Sequence, residues 1–207
     1  MDYINFCKMK NIVFGFILFS ISMCYSQDKN DLFDLISVEE KQIELLPERI
    51  VFTQSLLWGK NGLLRKTGIY PLNIENREKE LRIRKTMLTA HQVIGYVTLA
   101  SMVAQGIIGG KLYNGQDDLY KTHKTMGSIV NIGYFTGAGL SLFAPPPLIN
   151  KKVRGLNSIK AHKILATLHL SAMVATNYYK DKSKDSHKAA AYTAFASYAT
   201  AVFVIKF

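Results

Sequence analysis

The stretch that decides the fold is TMLTAHQVIGYVTLASMVAQGIIGG, residues 86–110, which contains no Asp, Glu, Lys or Arg. A helix of this length exceeds the hydrocarbon thickness of a bilayer, which is about 30 Å. Three further uncharged stretches follow at residues 125–150, 164–179 and 189–205, and short loops separate them. Short loops make neighbouring helices antiparallel. The sequence therefore predicts an all-α fold, an integral membrane up-down four-helix bundle over residues 86–207.

The charges are unevenly distributed along the chain. Residues 90–207 contain thirteen Lys and Arg against four Asp, whereas residues 1–89 contain thirteen bases against eleven acids. The bases form short clusters between the uncharged stretches, as in the loops of membrane proteins, and not one basic stripe. We therefore expect membrane lipid as a partner and no nucleic acid. Two cysteines are too few for a disulfide scaffold, and no C-x-x-C-H motif for covalent haem is present.

The N-terminus has the pattern of an export signal. Lys8 and Lys10 precede an apolar run at residues 12–23, and Cys24 and Ser26 fit a small-x-small cleavage site. This pattern predicts a secretory signal peptide over residues 1–26; an uncleaved anchor helix and lipidation at Cys24 are the alternatives. Export and the apolar stretches together predict a bacterial inner membrane protein.

Residues 27–85 are polar and of mixed charge, and we expect them to form an extracytoplasmic, partly helical leader. Apolar side chains at helical spacing predict short amphipathic helices over residues 31–48 and 50–58, which would cap the bundle. Residues 77–85 are predicted to be a charged helical lead-in to the first membrane segment. No catalytic motif is found in this leader.

Four of the five histidines lie near the predicted start of a membrane helix, one in each helix. A residue with a small side chain follows each of them four positions later, and positions i and i+4 share a helical face. A flat macrocycle bonded to the histidine would lie against that face, where a large side chain would collide with it. In three cases a lysine that could pair with a haem propionate follows the histidine directly. The histidines are His91, His123, His162 and His187, the small residues are Gly95, Gly127, Ala166 and Ala191, and the lysines are Lys124, Lys163 and Lys188.

The helix order sorts these histidines into two pairs. In an up-down bundle the first and third helices begin on one side, so His91 faces His162, and His123 faces His187 on the other side. Two imidazoles on opposite sides of a metal plane are the ligands of a b-type haem. A zinc or di-iron site needs three or four converging ligands, which two histidines do not provide. The sequence predicts two haem sites, one near each membrane face, whereas interfacial histidines without a cofactor are the alternative.

Three other polar residues lie deep in the predicted helices. His169 lies two turns after His162 on the same face, so it is a substitute ligand or a hydrogen-bonding group of the core. Gln105 and Asn131 are expected to hydrogen-bond to neighbouring helices.

Four helices with a histidine at each start, the H-K-x-x-G form at His123, and the pairing of alternate helices resemble the cytochrome b561 core. The resemblance covers about residues 86–207 and leaves residues 27–89 without a counterpart. It implies two non-covalent haem b groups and electron transfer across a membrane. No ascorbate-site pattern is present, so the resemblance does not identify the electron donor or acceptor.

The function expected from the sequence is transmembrane electron transfer by a dihaem b-type membrane cytochrome with an unidentified donor and acceptor. Such a protein can act as a membrane oxidoreductase that reduces ferric iron or a quinone. The alternative is a redox-silent integral membrane subunit or scaffold of an envelope complex, and a small transporter ranks third because the helices offer few polar side chains. A homo-oligomer and a subunit of a larger complex are both compatible with the sequence.

Overall fold

The computed structural model describes residues 44–149 and 157–205, and all regular secondary structure in these ranges is helical. The predicted all-α class is therefore confirmed for the described residues, and the predicted signal peptide lies outside them. Two short helices precede four long ones. The helices are α1 (Phe52–Trp58), α2 (Leu63–Lys66), α3 (Ile74–Tyr113), α4 (Tyr120–Leu142), α5 (Ser158–Tyr179) and α6 (Lys184–Val204), with a 3-10 turn (Asp117–Leu119) before α4.

Three of the long helices begin at a polar capping residue. The Asn73 side chain accepts a hydrogen bond from the backbone N–H of Asn76 at 2.8 Å, and Asn157 caps α5 in the same way. The Ser183 hydroxyl accepts from the backbone N–H of Ser186 at the start of α6. Each cap satisfies one of the N–H groups that the first turn of a helix leaves without a partner.

Helix α3 begins earlier than the hydropathy pattern indicates. It runs without interruption from Ile74, so the expected boundary between the leader and the bundle at residue 85 lies inside it. His91 is therefore almost five turns from the start of its helix, and the prediction that it lies near that start is wrong. His123, His162 and His187 do lie near the starts of α4, α5 and α6.

The four long helices form two tightly packed hairpins. Backbone contacts between α3 and α4, and between α5 and α6, are far more extensive than those between α3 and α6. Contacts between the hairpins are made largely by side chains. The Tyr198 hydroxyl donates to the Gly95 carbonyl at 3.2 Å, and Tyr113 donates to Asp185 at 2.8 Å. Every pair of neighbouring helices is antiparallel, because residues near the start of one helix contact residues near the end of the next.

Few apolar residues are buried, and many large ones lie on the outside of the long helices. The buried core is small and comprises Met102, Val130, Tyr134, Ala172, Met173 and Ala194. By contrast, many large apolar side chains on the long helices point outward and are more than half exposed, including Val97, Ile132 and Ile164. By length and composition, α3 is the one helix of the described residues that is able to cross a membrane.

The leader donates hydrogen bonds to carbonyl groups at the C-terminal end of α4. Helix α4 stops before three prolines, residues 145–147, which cannot continue a helix. Its last carbonyls and those of the prolines therefore need donors from elsewhere. The leader and the first turns of α3 supply these donors: Thr53 to Leu142, Trp58 to Phe143, Arg84 to Pro145 and Arg77 to Pro146.

A buried ion cluster connects the leader to α3. The carboxylate of Glu80 pairs with Arg77 of the same helix and with Arg65 of α2, and all three side chains are at least 94% buried. Arg77 also donates to the Leu45 carbonyl at 2.7 Å, and Arg65 donates to the Trp58 carbonyl. The charged lead-in predicted from the sequence is thus helical, but Arg77 and Glu80 lie in the interior.

Candidate metal centre

His91 of α3 and His162 of α5 lie close together at one end of the long helices. Their ring centroids are 6.4 Å apart, and the ring planes are nearly perpendicular, at 84°. The two helices are not sequence neighbours, and each belongs to a different hairpin. The two rings therefore face each other across the space between the hairpins.

The other end carries a second pair of the same geometry. The rings of His123 on α4 and His187 on α6 have centroids 6.2 Å apart and an interplanar angle of 81°. Again each hairpin contributes one ring. The four histidines singled out in the sequence therefore lie in two pairs, and the partners are those expected from the helix order.

The ring separations fit two nitrogens bound to one metal. Other aromatic pairs in the described residues have centroids 5.0–5.7 Å apart, although their rings are larger on average. Metal–nitrogen bonds are about 2.0 Å long, so two imidazoles on opposite sides of one metal have centroids roughly 6.3 Å apart. Both histidine pairs have this separation.

Backbone carbonyls of the antiparallel neighbour fix three of the four rings. Nδ1 of His91 lies 2.8 Å from the Gly137 oxygen, and Nδ1 of His162 lies 3.0 Å from the Ala201 oxygen. Nδ1 of His187 lies 2.9 Å from the Thr176 oxygen. A carbonyl accepts, so each Nδ1 carries the proton, and Nε2 is the nitrogen left to bind a metal. Metal-binding histidines are commonly oriented in this way.

The contacts repeat with a constant sequence spacing. His91 contacts residue 137, which is fourteen positions after His123, and His162 contacts residue 201, which is fourteen positions after His187. His187 likewise contacts residue 176, fourteen positions after His162. Fourteen residues of α-helix rise about 21 Å. The two pairs are therefore about 21 Å apart along the helix axes, near the two ends of the hairpins.

His123 departs from this arrangement, because a side chain contacts its ring and no carbonyl does. The position fourteen residues after His91 is Gln105, whose side-chain nitrogen lies 3.3 Å from Nε2 of His123. The side-chain amide oxygen of Gln105 (Oε1) and Nδ1 of His123 are both buried, and neither has a hydrogen-bond partner. Rotating the amide would place its oxygen near Nε2 of His123, where it could accept a hydrogen bond from that N–H, and Nδ1 would then be the nitrogen of this ring left to bind a metal. Gln105 is therefore the residue that orients His123.

The small residues after the histidines are buried or half-buried. A Cβ on Gly95 would lie 3.5 Å from the Tyr198 hydroxyl, and one on Gly127 would lie 3.1 Å from the Gln105 side chain. Ala166 and Ala191 are half-buried. Of the three lysines, Lys124 and Lys163 are exposed, and the Lys188 ammonium lies 3.7 Å from the centre of the Tyr113 ring.

His169 lies between the two pairs and has no histidine partner. Its Nδ1 is hydrogen-bonded to the Tyr134 hydroxyl at 2.6 Å, and its ring packs against Tyr198 with centroids 5.0 Å apart. Tyr198 in turn donates to the Gly95 carbonyl. This arrangement favours the hydrogen-bonding role of His169 over the role of substitute ligand.

Sequence reasoning did not identify the groups that orient the histidines. Three are backbone carbonyls, which have no side-chain signature, and the fourth is Gln105, which was expected only to bond to a neighbouring helix. The fourteen-residue spacing is a signal that could have located all four. Asn131, the other polar residue noted, exchanges two amide hydrogen bonds with Asn177 of α5 at 3.0 and 2.8 Å.

Comparison with known proteins adds no further information about the site. No protein-family model matches the chain, and no curated protein and no solved structure matches it significantly. The functional conclusion therefore depends on the geometry of the two histidine pairs.

Proposed function

We propose that this protein is a dihaem b-type cytochrome that transfers electrons across a membrane. In this proposal the four long helices form an up-down bundle in the bilayer, with one haem near each face. The observation that carries the proposal is the pair of facing imidazoles, 6.4 and 6.2 Å apart, at the two ends of the helices.

The exposed apolar side chains support the membrane location. In water, the many exposed isoleucine, valine and phenylalanine side chains on the long helices would form apolar patches of the kind that monomeric proteins rarely expose. In a bilayer these side chains contact lipid. The buried side of the same helices contains polar groups, namely the Asn131–Asn177 pair and the Tyr134–His169 pair, which are satisfied by each other. Polar groups inside and apolar groups outside are the distribution that lipid requires.

The residues present fit haem in three respects. The ring centroids of each pair lie at the separation expected of two imidazoles that bind one metal. Three rings are oriented by a carbonyl through Nδ1, which leaves Nε2 for iron. The backbones of α4 and α5 approach each other much less closely than those within a hairpin, so a flat group would be accommodated between the hairpins.

The chain's own residues would hold, orient and insulate the cofactor. His91 and His162 would bind one haem, and His123 and His187 would bind the other. When bound, haem supplies a reversible one-electron couple. In the proposed bilayer location, lipid around the outward apolar side chains would keep water away from the two pairs. Reduction of ferric iron or a quinone stays a prediction from the sequence, as does the bacterial inner membrane.

The proposal predicts a b-type spectrum from the purified chain. We expect sharp reduced bands after dithionite and a pyridine haemochrome assay that gives two haems per chain, from cells that can supply haem. Absence of haem from such a preparation would contradict the proposal and would favour a redox-silent membrane subunit.

Replacing Gln105 with leucine should change one haem and leave the other unaltered. Gln105 is the only side chain in the described residues that hydrogen-bonds to His123, so its loss frees that ring to reorient. A bond from the imidazole to an acceptor makes the ligand more basic. We therefore expect a higher midpoint potential and an altered electron paramagnetic resonance signal for one of two haems.

A matched control is Gln92→Leu, because Gln92 is an exposed glutamine on the same helix, one residue after His91. This variant should leave both potentials unchanged. Equal shifts of both haems in Gln105→Leu would show that Gln105 acts on the whole protein and does not orient His123.

A further inference from the structure

The leader segment of residues 49–74 has an apolar outer face. We use the name leader face for the exposed side chains of Val51, Phe52, Leu56, Leu63, Ile69 and Ile74. Phe52 is 79% exposed, and the others are between 46% and 64% exposed. Over the same segment, Gln54 is buried and Arg65 is 94% buried on the side chain. The segment thus buries two polar side chains while six of its apolar side chains are exposed, an arrangement that water does not favour.

The segment that carries the leader face contacts the C-terminal end of α4. The Thr53 hydroxyl donates to the Leu142 carbonyl at 2.6 Å, and the Trp58 indole donates to the Phe143 carbonyl at 2.9 Å. Leu142 and Phe143 are themselves more than a third exposed. The segment that carries the leader face is therefore held against the end of α4, where these two apolar side chains are also exposed.

The charge of the segment indicates what covers this face. Residues 49–74 contain four basic residues and no Asp or Glu. Among them, Lys60 and Lys66 are exposed and flank the apolar side chains. An apolar face bordered by lysines is the pattern of a segment that lies in the interface of a membrane with anionic lipids.

We propose that residues 49–74 form an interfacial anchor whose leader face is inserted into an anionic lipid leaflet. This inference rests on the membrane location given under the proposed function, but not on haem. The leader is then embedded at the membrane surface instead of extending into the extracytoplasmic space. Its buried cluster of Glu80 with Arg65 and Arg77 holds the anchor against the ends of α3 and α4.

Quenching of tryptophan fluorescence by brominated lipids tests the anchor. The full-length chain is reconstituted in vesicles of phosphatidylcholine and phosphatidylglycerol, with bromine on the acyl chains. The wild type contains one tryptophan, Trp58, which is buried and gives the reference signal. We expect the brominated lipids to quench the additional fluorescence that Phe52→Trp shows over this reference. Ile132→Trp, on the outer side of α4, reports insertion of the long helices, and Asp118→Trp, in the exposed loop before α4, should not be quenched.

Lipid selectivity tests the role of the lysines. Brominated phosphatidylglycerol should quench Phe52→Trp more strongly than an equal fraction of brominated phosphatidylcholine. Changing Lys60 and Lys66 together to glutamine should abolish this difference. Changing Lys182 and Lys184, which are exposed before and at the start of α6, to glutamine should leave it intact.

The outcomes separate the two proposals. Quenching of Ile132→Trp without quenching of Phe52→Trp would overturn the anchor and leave the membrane bundle in place. Quenching of neither would overturn the membrane location itself. An unquenched Phe52→Trp in a chain that is dimeric by light scattering would show that a second copy covers the leader face, which also contradicts the anchor.

Discussion

Replacing His162 with alanine should lower the haem content of the purified protein from two per chain to one. A b-type haem is held without covalent bonds, so loss of one of two axial imidazoles removes most of what retains it. His91→Ala should remove the same haem, because the His91 and His162 rings face each other. A pyridine haemochrome assay of each variant measures the effect.

Double variants test whether His91 and His162 belong to the same haem site. Alanine at both His91 and His162 should cost one haem, as either single change does, because both changes affect one site. Alanine at both His91 and His123 should cost both haems. His169→Phe is the matched control, since His169 bonds to Tyr134 and has no histidine partner. Loss of a haem in His169→Phe with retention in His162→Ala would show that the ligands have been assigned incorrectly.

Replacing Glu80 of α3 with alanine should produce the largest loss of stability of any single change where the leader meets α3. Glu80 is fully buried and is the counter-charge of two buried guanidinium groups, Arg65 and Arg77. Removing one partner of a buried ion pair costs about 3–5 kcal/mol of the free energy of unfolding, because the remaining charge is left uncompensated. Circular dichroism of the detergent-solubilised protein during denaturant unfolding would measure the change.

Glu78→Ala is the control for that measurement. Glu78 lies on the same stretch of α3 but is exposed, so its loss should change the free energy of unfolding by no more than about 0.5 kcal/mol. Equal stability of the two variants would show that the buried ion cluster does not hold the leader in place. Glu80→Gln keeps hydrogen-bonding atoms but removes the charge. The decrease in its free energy of unfolding should therefore lie between those of Glu80→Ala and Glu78→Ala.

The arrangement of the long helices could be predicted from hydropathy and loop length. Uncharged stretches locate the helices, and short loops make neighbours antiparallel, so the partners of the facing histidines follow. The start of α3 could not be predicted in this way, because apolarity marks where a helix is buried or in lipid and not where it begins. The cap at Asn73 determines that start.

The interior of the leader was harder to predict for a different reason. Arg77 and Glu80 have the appearance of a solvent-exposed helix face, since charged residues are rarely buried. Arg77 is buried where it donates to a carbonyl oxygen of the prolines after α4, and Glu80 is buried as the counter-charge of Arg77. That requirement arises from a segment about seventy residues away, so local sequence cannot show it.

The division into two hairpins has a consequence for how the protein would mature. Each proposed iron takes one nitrogen from the hairpin of α3 and α4 and one from the hairpin of α5 and α6. Capture of the cofactor and closure of the hairpins are then thermodynamically linked, because haem binds the closed form far better than the open one. The haem supply of the cell would thereby determine how much newly made chain reaches its closed form and how much is left to proteolysis.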